Sequence, residues 1–123
     1  MKTVLVADDQ PSMRLLVSAT LGSDGVTVIQ ATDGDEAWKL IQEHQPDLAL
    51  LDVHMPGRSG LELTEAIRSH PELAGMWVML LTAGGLKSDI DAGMAAGANQ
   101  YLTKPFSPLK LREEVHRLLE IHD

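Results

Sequence analysis

Five short apolar runs, most of them rich in valine and leucine, recur along the chain and predict its β-strands. The first, third and fourth runs are apolar at consecutive positions rather than at alternate ones, as is typical of parallel strands that are covered on both faces. Helices are therefore expected on both sides of a sheet. The five runs are Val4–Val6, Val26–Ile29, Leu48–Leu51, Val78–Leu81 and Tyr101–Leu102.

Segments with helical periodicity separate these runs. Their apolar residues recur three and four positions apart, which places them on one side of a helix that is expected to face the core. Ser107 before Pro108 is typical of a helix N-cap followed by proline at the first helical position. The apolar stripes are Met13, Leu16, Val17 and Leu21; Ala37, Leu40 and Ile41; the weaker pairs Leu63 with Ile67 and Ile90 with Met94; and Leu111, Val115, Leu118 and Leu119.

The strict alternation of strands and helices predicts an α/β fold, with a doubly wound five-stranded parallel sheet, right-handed crossovers and five flanking helices. A chain of 123 residues with 44% hydrophobic composition fits one core, so a single domain over residues 1–123 is expected. Gly93 lies inside the fourth predicted helix, where glycine costs about 1 kcal/mol relative to alanine. This helix is therefore expected to be the least stable and to be mobile.

Charge and composition narrow the functional classes. A net charge of −8 argues against a surface that neutralises nucleic-acid phosphates, so direct DNA or RNA binding is not expected. The longest apolar run is far shorter than the ~20 residues that span a bilayer, which argues against membrane insertion. The chain has no cysteine, so the fold depends on neither disulfides nor a thiolate metal site. A soluble cytoplasmic protein is expected.

Polar side chains follow the predicted strands at the edge where open α/β sheets bind ligands. Asp8 and Asp9 come after the first strand, Asp52 ends the third, Thr82 ends the fourth and Lys104 follows the fifth. Taken singly, such an acid is usually a helix N-cap, the lysine a surface residue and the hydroxyl a backbone partner. Three carboxylates that converge on one pocket instead raise one another's pKa or require a cation. Oxygen ligands, without cysteine or clustered histidine, favour Mg²⁺ over zinc.

Together these motifs resemble the response-regulator receiver domain of two-component signalling, either in a stand-alone form like the chemotaxis regulators or as the receiver of a larger protein. The resemblance covers the chain from Lys2 to about Leu119, and the ordered set is far more specific than any single motif. It implies a flavodoxin-like sheet with strand order 2-1-3-4-5. The motifs are Asp8–Asp9, the segment Asp52–Gly60, Thr82–Ala83, Tyr101 and Lys104–Phe106.

The resemblance implies a role for each matching acid. Asp52 would accept a phosphoryl group from a phosphohistidine on a sensor histidine kinase or phosphotransfer protein and become a 4-aspartylphosphate. Asp9, Asp52 and the backbone carbonyl of His54 would ligate Mg²⁺ directly. Asp8 would act on the metal largely through bound water.

The resemblance also implies a switch. Thr82 and Lys104 would hold the phosphoryl oxygens, and Thr82 would move while Tyr101 turns inward. This change would alter the face built from the fourth helix, fifth strand and fifth helix, and so control binding to a downstream protein target or output domain. The chain would not be an enzyme but a regulatory phospho-acceptor that assists its own phosphorylation and dephosphorylation.

Rival interpretations differ in how well they fit. A flavin-binding domain would need a phosphate-cradling loop after the first strand, where two carboxylates stand here. A haloacid-dehalogenase-like phosphatase spaces its acids Asp-x-Asp, whereas Asp8 and Asp9 are adjacent. A receiver-like interaction module that is never phosphorylated remains the alternative. The His54 side chain is expected to be a bystander, and the other interpretation is that its imidazole orients or blocks water.

Overall fold

The computed structural model describes residues 2–83 and 87–122. The elements are β1 Thr3–Ala7, α1 Pro11–Gly22, β2 Thr27–Ala31, α2 Gly34–His44, β3 Leu48–Asp52, α3 Gly60–Ser69, β4 Trp77–Ala83, α4 Lys87–Ala96, β5 Gln100–Lys104 and α5 Pro108–His122. All paired strands are parallel, and the sheet has the order β2-β1-β3-β4-β5. The doubly wound, flavodoxin-like fold is therefore confirmed.

The sheet separates two apolar cores, because alternate residues of each strand point to opposite faces. One core lies under α1 and α5 and includes Val6, Leu50 and Leu81. The other lies under α2 and α3 and includes Leu5 and Leu51. Burial on both faces explains why β1, β3 and β4 are apolar at consecutive positions, whereas the edge strand β2 is largely half-buried or exposed.

Local sequence signals set the starts of two helices beside the carboxyl edge of the sheet. Ser59 and Glu62 form a reciprocal capping box at the start of α3. The predicted N-cap Ser107 accepts a hydrogen bond from Lys110 N at 3.0 Å at the start of α5. None of the helices in the described part of the chain combines the length and apolar character needed to cross a bilayer.

The fourth helix packs differently from the prediction. Met94 is 43% exposed, so the expectation that it faces the core is wrong. The buried residue is Gly93, where a Cβ would lie 2.1 Å from Leu80 Cδ1 of β4. Glycine lets the helix backbone approach the sheet closely, which is a packing role that helix propensity does not reveal. The mobility of this helix stays a prediction.

The start of α3 packs against the end of β3. Gly60 N donates a hydrogen bond to Val53 O at 3.1 Å, and a Cβ at residue 60 would lie 2.5 Å from Asp52 O. The contact atom belongs to the backbone of a buried strand, so it cannot move aside as the end of a flexible side chain can. Only glycine allows this approach, which fixes the strand end that carries Asp52.

We predict that Gly60→Ala lowers the free energy of unfolding by about 1–3 kcal/mol, because the added methyl group overpacks a rigid backbone contact. Gly22→Ala is the control, since no atom of the described residues lies within 4 Å of a Cβ at that exposed end of α1. Chemical denaturation of both variants measures the difference. An undiminished stability of the Gly60 variant would contradict the packing argument.

Candidate functional site

The carboxyl ends of β1, β3, β4 and β5 form one edge of the sheet. The parallel register pairs Asp52 with Leu81 and Ala83 with Lys104, and β1 lies beside β3. Residues that end or directly follow these strands therefore lie along the same edge. The polar residues that the sequence places at the strand ends meet there.

Asp8, Asp9 and Asp52 form the predicted acidic cluster. Each offers one carboxylate oxygen, and these three oxygens all lie within 4.8 Å of one another. Asp8 is fully buried and Asp52 is 6% exposed, whereas Asp9 is exposed. The cluster is therefore closed toward the protein and open to solvent on the side of Asp9.

Lys104 is a cation that faces this cluster. Its Nζ lies 2.6 Å from Asp8 Oδ2 and 3.4 Å from Asp52 Oδ2, and its side chain is largely buried. An ammonium at these distances offsets part of the cost of burying two carboxylates. When all four groups are ionised, the three carboxylates and one ammonium leave two negative charges. A single divalent cation would balance them.

Two hydrogen bonds hold Asp8 in place, one to its side chain and one to its backbone. Its Oδ1 accepts a hydrogen bond from Gln10 N at 3.0 Å, and its carbonyl oxygen accepts one from Arg14 Nη1 at 2.7 Å. The N-cap of α1 is Gln10, whose side chain makes no capping hydrogen bond. The ordinary interpretation of Asp8 or Asp9 as an N-cap therefore does not apply.

Asp52 is an ionisable group in an unfavourable environment. Its pKa is raised from 3.8 to about 6, chiefly by burial and next by repulsion from Asp8. Attraction to Lys104 and a hydrogen bond from His54 N to Asp52 Oδ1, at 3.3 Å, lower the pKa without cancelling the rise. At neutral pH the group is mostly a carboxylate, and additional positive charge nearby would stabilise it.

Thr82 supplies a buried hydroxyl at the carboxyl edge of the sheet. The residue is fully buried at the end of β4, and its Oγ1 makes no hydrogen bond within the described part of the chain. A buried unpaired hydroxyl costs on the order of 1–3 kcal/mol, so such groups are rare and usually have a functional reason. If Thr82 were an ordinary strand-end residue, its hydroxyl would bond to the backbone. The described residues show no such bond.

His54 has a side-chain partner that the sequence does not indicate. Its Nε2 lies 2.9 Å from Asp89 Oδ2, in the first turn of α4. The two residues are distant in sequence and belong to no common periodicity, so no pattern signals the pair. The structure thus adds Asp89 to the residues around the site. That the carbonyl of His54 ligates a metal stays a prediction.

Tyr101 lies apart from the acids, on the surface of β5. Its side chain is 38% exposed. It borders a shallow groove of about 480 Å³ that Phe106 and Lys110 also line, between β5 and the start of α5. Tyr101 is therefore a surface residue in this structure.

The acidic cluster suits a hard divalent cation. All its donors are carboxylate oxygens, no cysteine exists to ligate a soft metal, and the His54 imidazole is occupied by Asp89. The excess negative charge and the raised pKa of Asp52 both favour a bound cation. The residues present therefore fit the predicted Mg²⁺.

Comparison with known protein families agrees with this geometry. The family model described as "Response regulator receiver domain" matches residues 4–116. The chain belongs to this family. The resemblance of the ordered motifs to a receiver of two-component phosphorelay signalling is confirmed.

Curated relatives of this receiver are response regulators of about twice its length. It is 32% identical to the response regulator GtcR of Aneurinibacillus migulanus over 99% of the chain. It is 37% identical to the phosphate regulon transcriptional regulatory protein PhoB of Rhizobium meliloti (strain 1021) over 94% of the chain. The receiver spans 51% of the length of each.

Solved structures of receivers match the whole fold. The chemotaxis response regulator CheY4 of Vibrio cholerae is similar with a TM-score of 0.90 and 35% identity, covering 96% of this receiver and 98% of that chain. The receiver domain of the Francisella response regulator 1452 is similar with a TM-score of 0.91 and 29% identity, covering 100% of both chains.

We predict that Asp52→Asn raises the free energy of unfolding of the metal-free receiver at neutral pH by about 2 kcal/mol, because a pKa raised by burial means that ionisation destabilises the fold. A carboxyl with a pKa raised from 3.8 to about 6 binds its proton more tightly when folded, so its contribution to stability falls as the pH rises through this window. The gain in stability from Asp52→Asn is therefore absent near pH 3.8 and complete above about pH 6. Denaturation in chelator across this pH range measures it.

Glu113→Gln is the control for this prediction, since it removes a negative charge from an exposed position on α5. We expect it to change stability by less than about 0.5 kcal/mol at each pH. A gain for Asp52→Asn that does not depend on pH would show that repulsion and desolvation are not its cause.

Proposed function

We propose that this receiver takes a phosphoryl group on Asp52 from a phosphohistidine of a sensor histidine kinase or phosphotransfer protein. The observation that carries the proposal is the arrangement around one carboxylate. The Lys104 ammonium lies 3.4 Å from Asp52 Oδ2, and the buried hydroxyl of Thr82, at the neighbouring strand end, has no partner among the described residues. The ammonium and the hydroxyl can both bind an anion beside a carboxylate nucleophile.

The reaction needs no general base. A carboxylate oxygen of Asp52 attacks phosphorus, the P–N bond of phosphohistidine breaks, and its electron pair stays on the departing imidazole nitrogen. The product is an acyl phosphate on Asp52. Since the pKa of Asp52 is about 6, the nucleophile is mostly ionised at neutral pH. Phosphoryl transfer depends chiefly on positioning and on neutralising charge, which this site supports.

Asp8, Asp9, Asp52 and the backbone carbonyl of His54 would hold Mg²⁺, with Asp8 acting largely through water. The ion, when bound, supplies positive charge that offsets the charge of the transferring phosphoryl group. Lys104 is already drawn toward Asp52 by charge and would hold one phosphoryl oxygen. Its bond to Asp8 keeps the ammonium aimed at the cluster.

Thr82 would hold a second phosphoryl oxygen. Its unpaired hydroxyl would gain a partner on phosphorylation, which favours the phosphorylated arrangement of the β4 end. We propose that Tyr101 then moves inward from its exposed position and alters the face of α4, β5 and α5. The groove beside Tyr101 is part of this face.

The receiver is therefore proposed to be regulatory, a phospho-acceptor that assists its own phosphorylation and dephosphorylation rather than a turnover enzyme. Its changed face would control a downstream protein target or an output domain, without direct contact to nucleic acid by the receiver. One receiver domain over residues 1–123 and a cytoplasmic location belong to the same proposal. A chain without cysteine fits that compartment.

We predict that acetyl phosphate with Mg²⁺ adds one phosphoryl group to the receiver. Intact-mass spectrometry should show the gain, and Asp52→Ala or excess chelator should abolish it, because the nucleophile or the charge balance is lost. Glu113→Gln is the control and should react like the unsubstituted chain. No mass gain, together with unchanged NMR signals near Tyr101 in beryllium fluoride, would favour the alternative of an interaction module that is never phosphorylated.

We predict that Thr82→Val separates stability from function. Valine has nearly the same shape and removes an unpaired hydroxyl, so the free energy of unfolding should stay the same or rise by up to about 1 kcal/mol. Phosphoryl uptake should slow by roughly tenfold or more, because a donor to a phosphoryl oxygen is lost. Thermal melts and uptake rates measure the two effects.

Thr64→Val is the matched control for this prediction. Thr64 is also fully buried, but its Oγ1 donates a hydrogen bond to Gly60 O at 2.8 Å. Its substitution should lower stability by about 1 kcal/mol, since a made hydrogen bond is lost. If Thr82→Val destabilised the fold as much as Thr64→Val, the Thr82 hydroxyl would have to be bonded within the protein.

A further inference from the structure

The hydrogen bond between His54 and Asp89 joins the loop after Asp52 to the first turn of α4. The Nε2–Oδ2 distance is 2.9 Å, with the His54 side chain 70% exposed and the Asp89 side chain 17% exposed. A carboxylate only accepts hydrogen bonds, so Nε2 carries the proton and donates. An exposed bond of this kind adds little stability by itself. Its consequence lies in what it positions.

The backbone on either side of His54 is tied to the acceptor. Val53 N donates to Leu81 O at 3.1 Å, and Val53 O accepts from Gly60 N at the same distance. His54 N donates to Asp52 Oδ1 at 3.3 Å, which is a long hydrogen bond. The loop is therefore anchored firmly at Val53 and less firmly at His54. A restraint on the His54 side chain would also restrain the backbone N–H that donates to the Asp52 carboxylate.

We propose that Asp89 is a positioning residue for phosphoryl uptake at Asp52, acting through the imidazole of His54. The inference rests on the proposed function of Asp52. Asp89 restrains the ring, the ring restrains the backbone of His54, and this backbone holds the orientation of the nucleophile. Restricting a nucleophile to its reactive orientation increases the rate of transfer. The imidazole is thus more than a bystander, although it touches no reacting atom.

A matched acid on the same helix allows a sharp control. Asp91 lies in α4 two residues beyond Asp89, but its Oδ2 pairs with Lys87 Nζ at 2.8 Å rather than with His54. Asp91→Ala therefore removes the same charge from the same helix without touching the His54 ring. Asp89→Asn keeps an oxygen that accepts the bond while removing the charge.

The test measures phosphoryl uptake from acetyl phosphate with Mg²⁺ in the full chain. Asp89→Ala should slow uptake roughly fivefold, the effect of losing one hydrogen bond, whereas Asp91→Ala should react like the unsubstituted chain. Asp89→Asn should restore most of the rate. In a His54→Ala background, Asp89→Ala should have no further effect. Equal rates for the two alanine variants, or additive effects with His54→Ala, would overturn the proposal.

A second readout does not depend on phosphorylation. In the metal-free protein, Asp89→Ala should shift the backbone amide NMR signals of Val53–Met55, and Asp91→Ala should leave them unchanged. Unshifted signals in the Asp89 variant would overturn the positioning role even if Asp52 accepts phosphate. Shifted signals in a chain that takes up no phosphoryl group would instead refute the function of Asp52 while the His54 restraint stands.

Discussion

The contact of Lys104 with Asp8 and Asp52 is the interaction on which the site depends. Two carboxylates that are almost completely buried repel each other, and burial itself opposes their charge. Lys104 contacts both of them but does not return the pKa of Asp52 to its ordinary value. The fold therefore holds a centre with unbalanced negative charge, which is suited to a cation and to a group that arrives with it.

The surrounding sheet holds this centre in place. Asp52 ends a strand that is buried along its whole length, between two other strands in fixed register. Gly60 packs on the backbone at this strand end. At the end of the next strand, the buried Thr82 hydroxyl has no hydrogen-bond partner in the part of the chain that the structure describes. The apolar cores on both faces offset these local costs. The apolar cores thus stabilise the fold, whereas the buried polar groups at the carboxyl edge destabilise it.

Much of this arrangement is predictable from the sequence, and the reason is geometric. Apolar runs locate buried parallel strands, and parallel strands bring residues at their carboxyl ends to one edge, so Asp8, Asp52 and Thr82 could be expected to meet. Packing across the sheet is less predictable. The outward position of Met94 and the close approach at Gly93 depend on the height of α4 above β4, which periodicity does not encode.

The hydrogen bond between His54 and Asp89 belongs to this less predictable part. It bears on how the acidic cluster could be coupled to α4. Leu80, the residue that Gly93 approaches, stands two positions before Thr82 on the same strand. The strand end and the loop after Asp52 therefore reach α4 by separate contacts, one apolar and buried, the other polar and at the surface. A helix held at both points responds to changes at either, because each contact contributes to the same equilibrium. Coupling between the acidic cluster and α4 then needs no long pathway, since the helix directly adjoins the site.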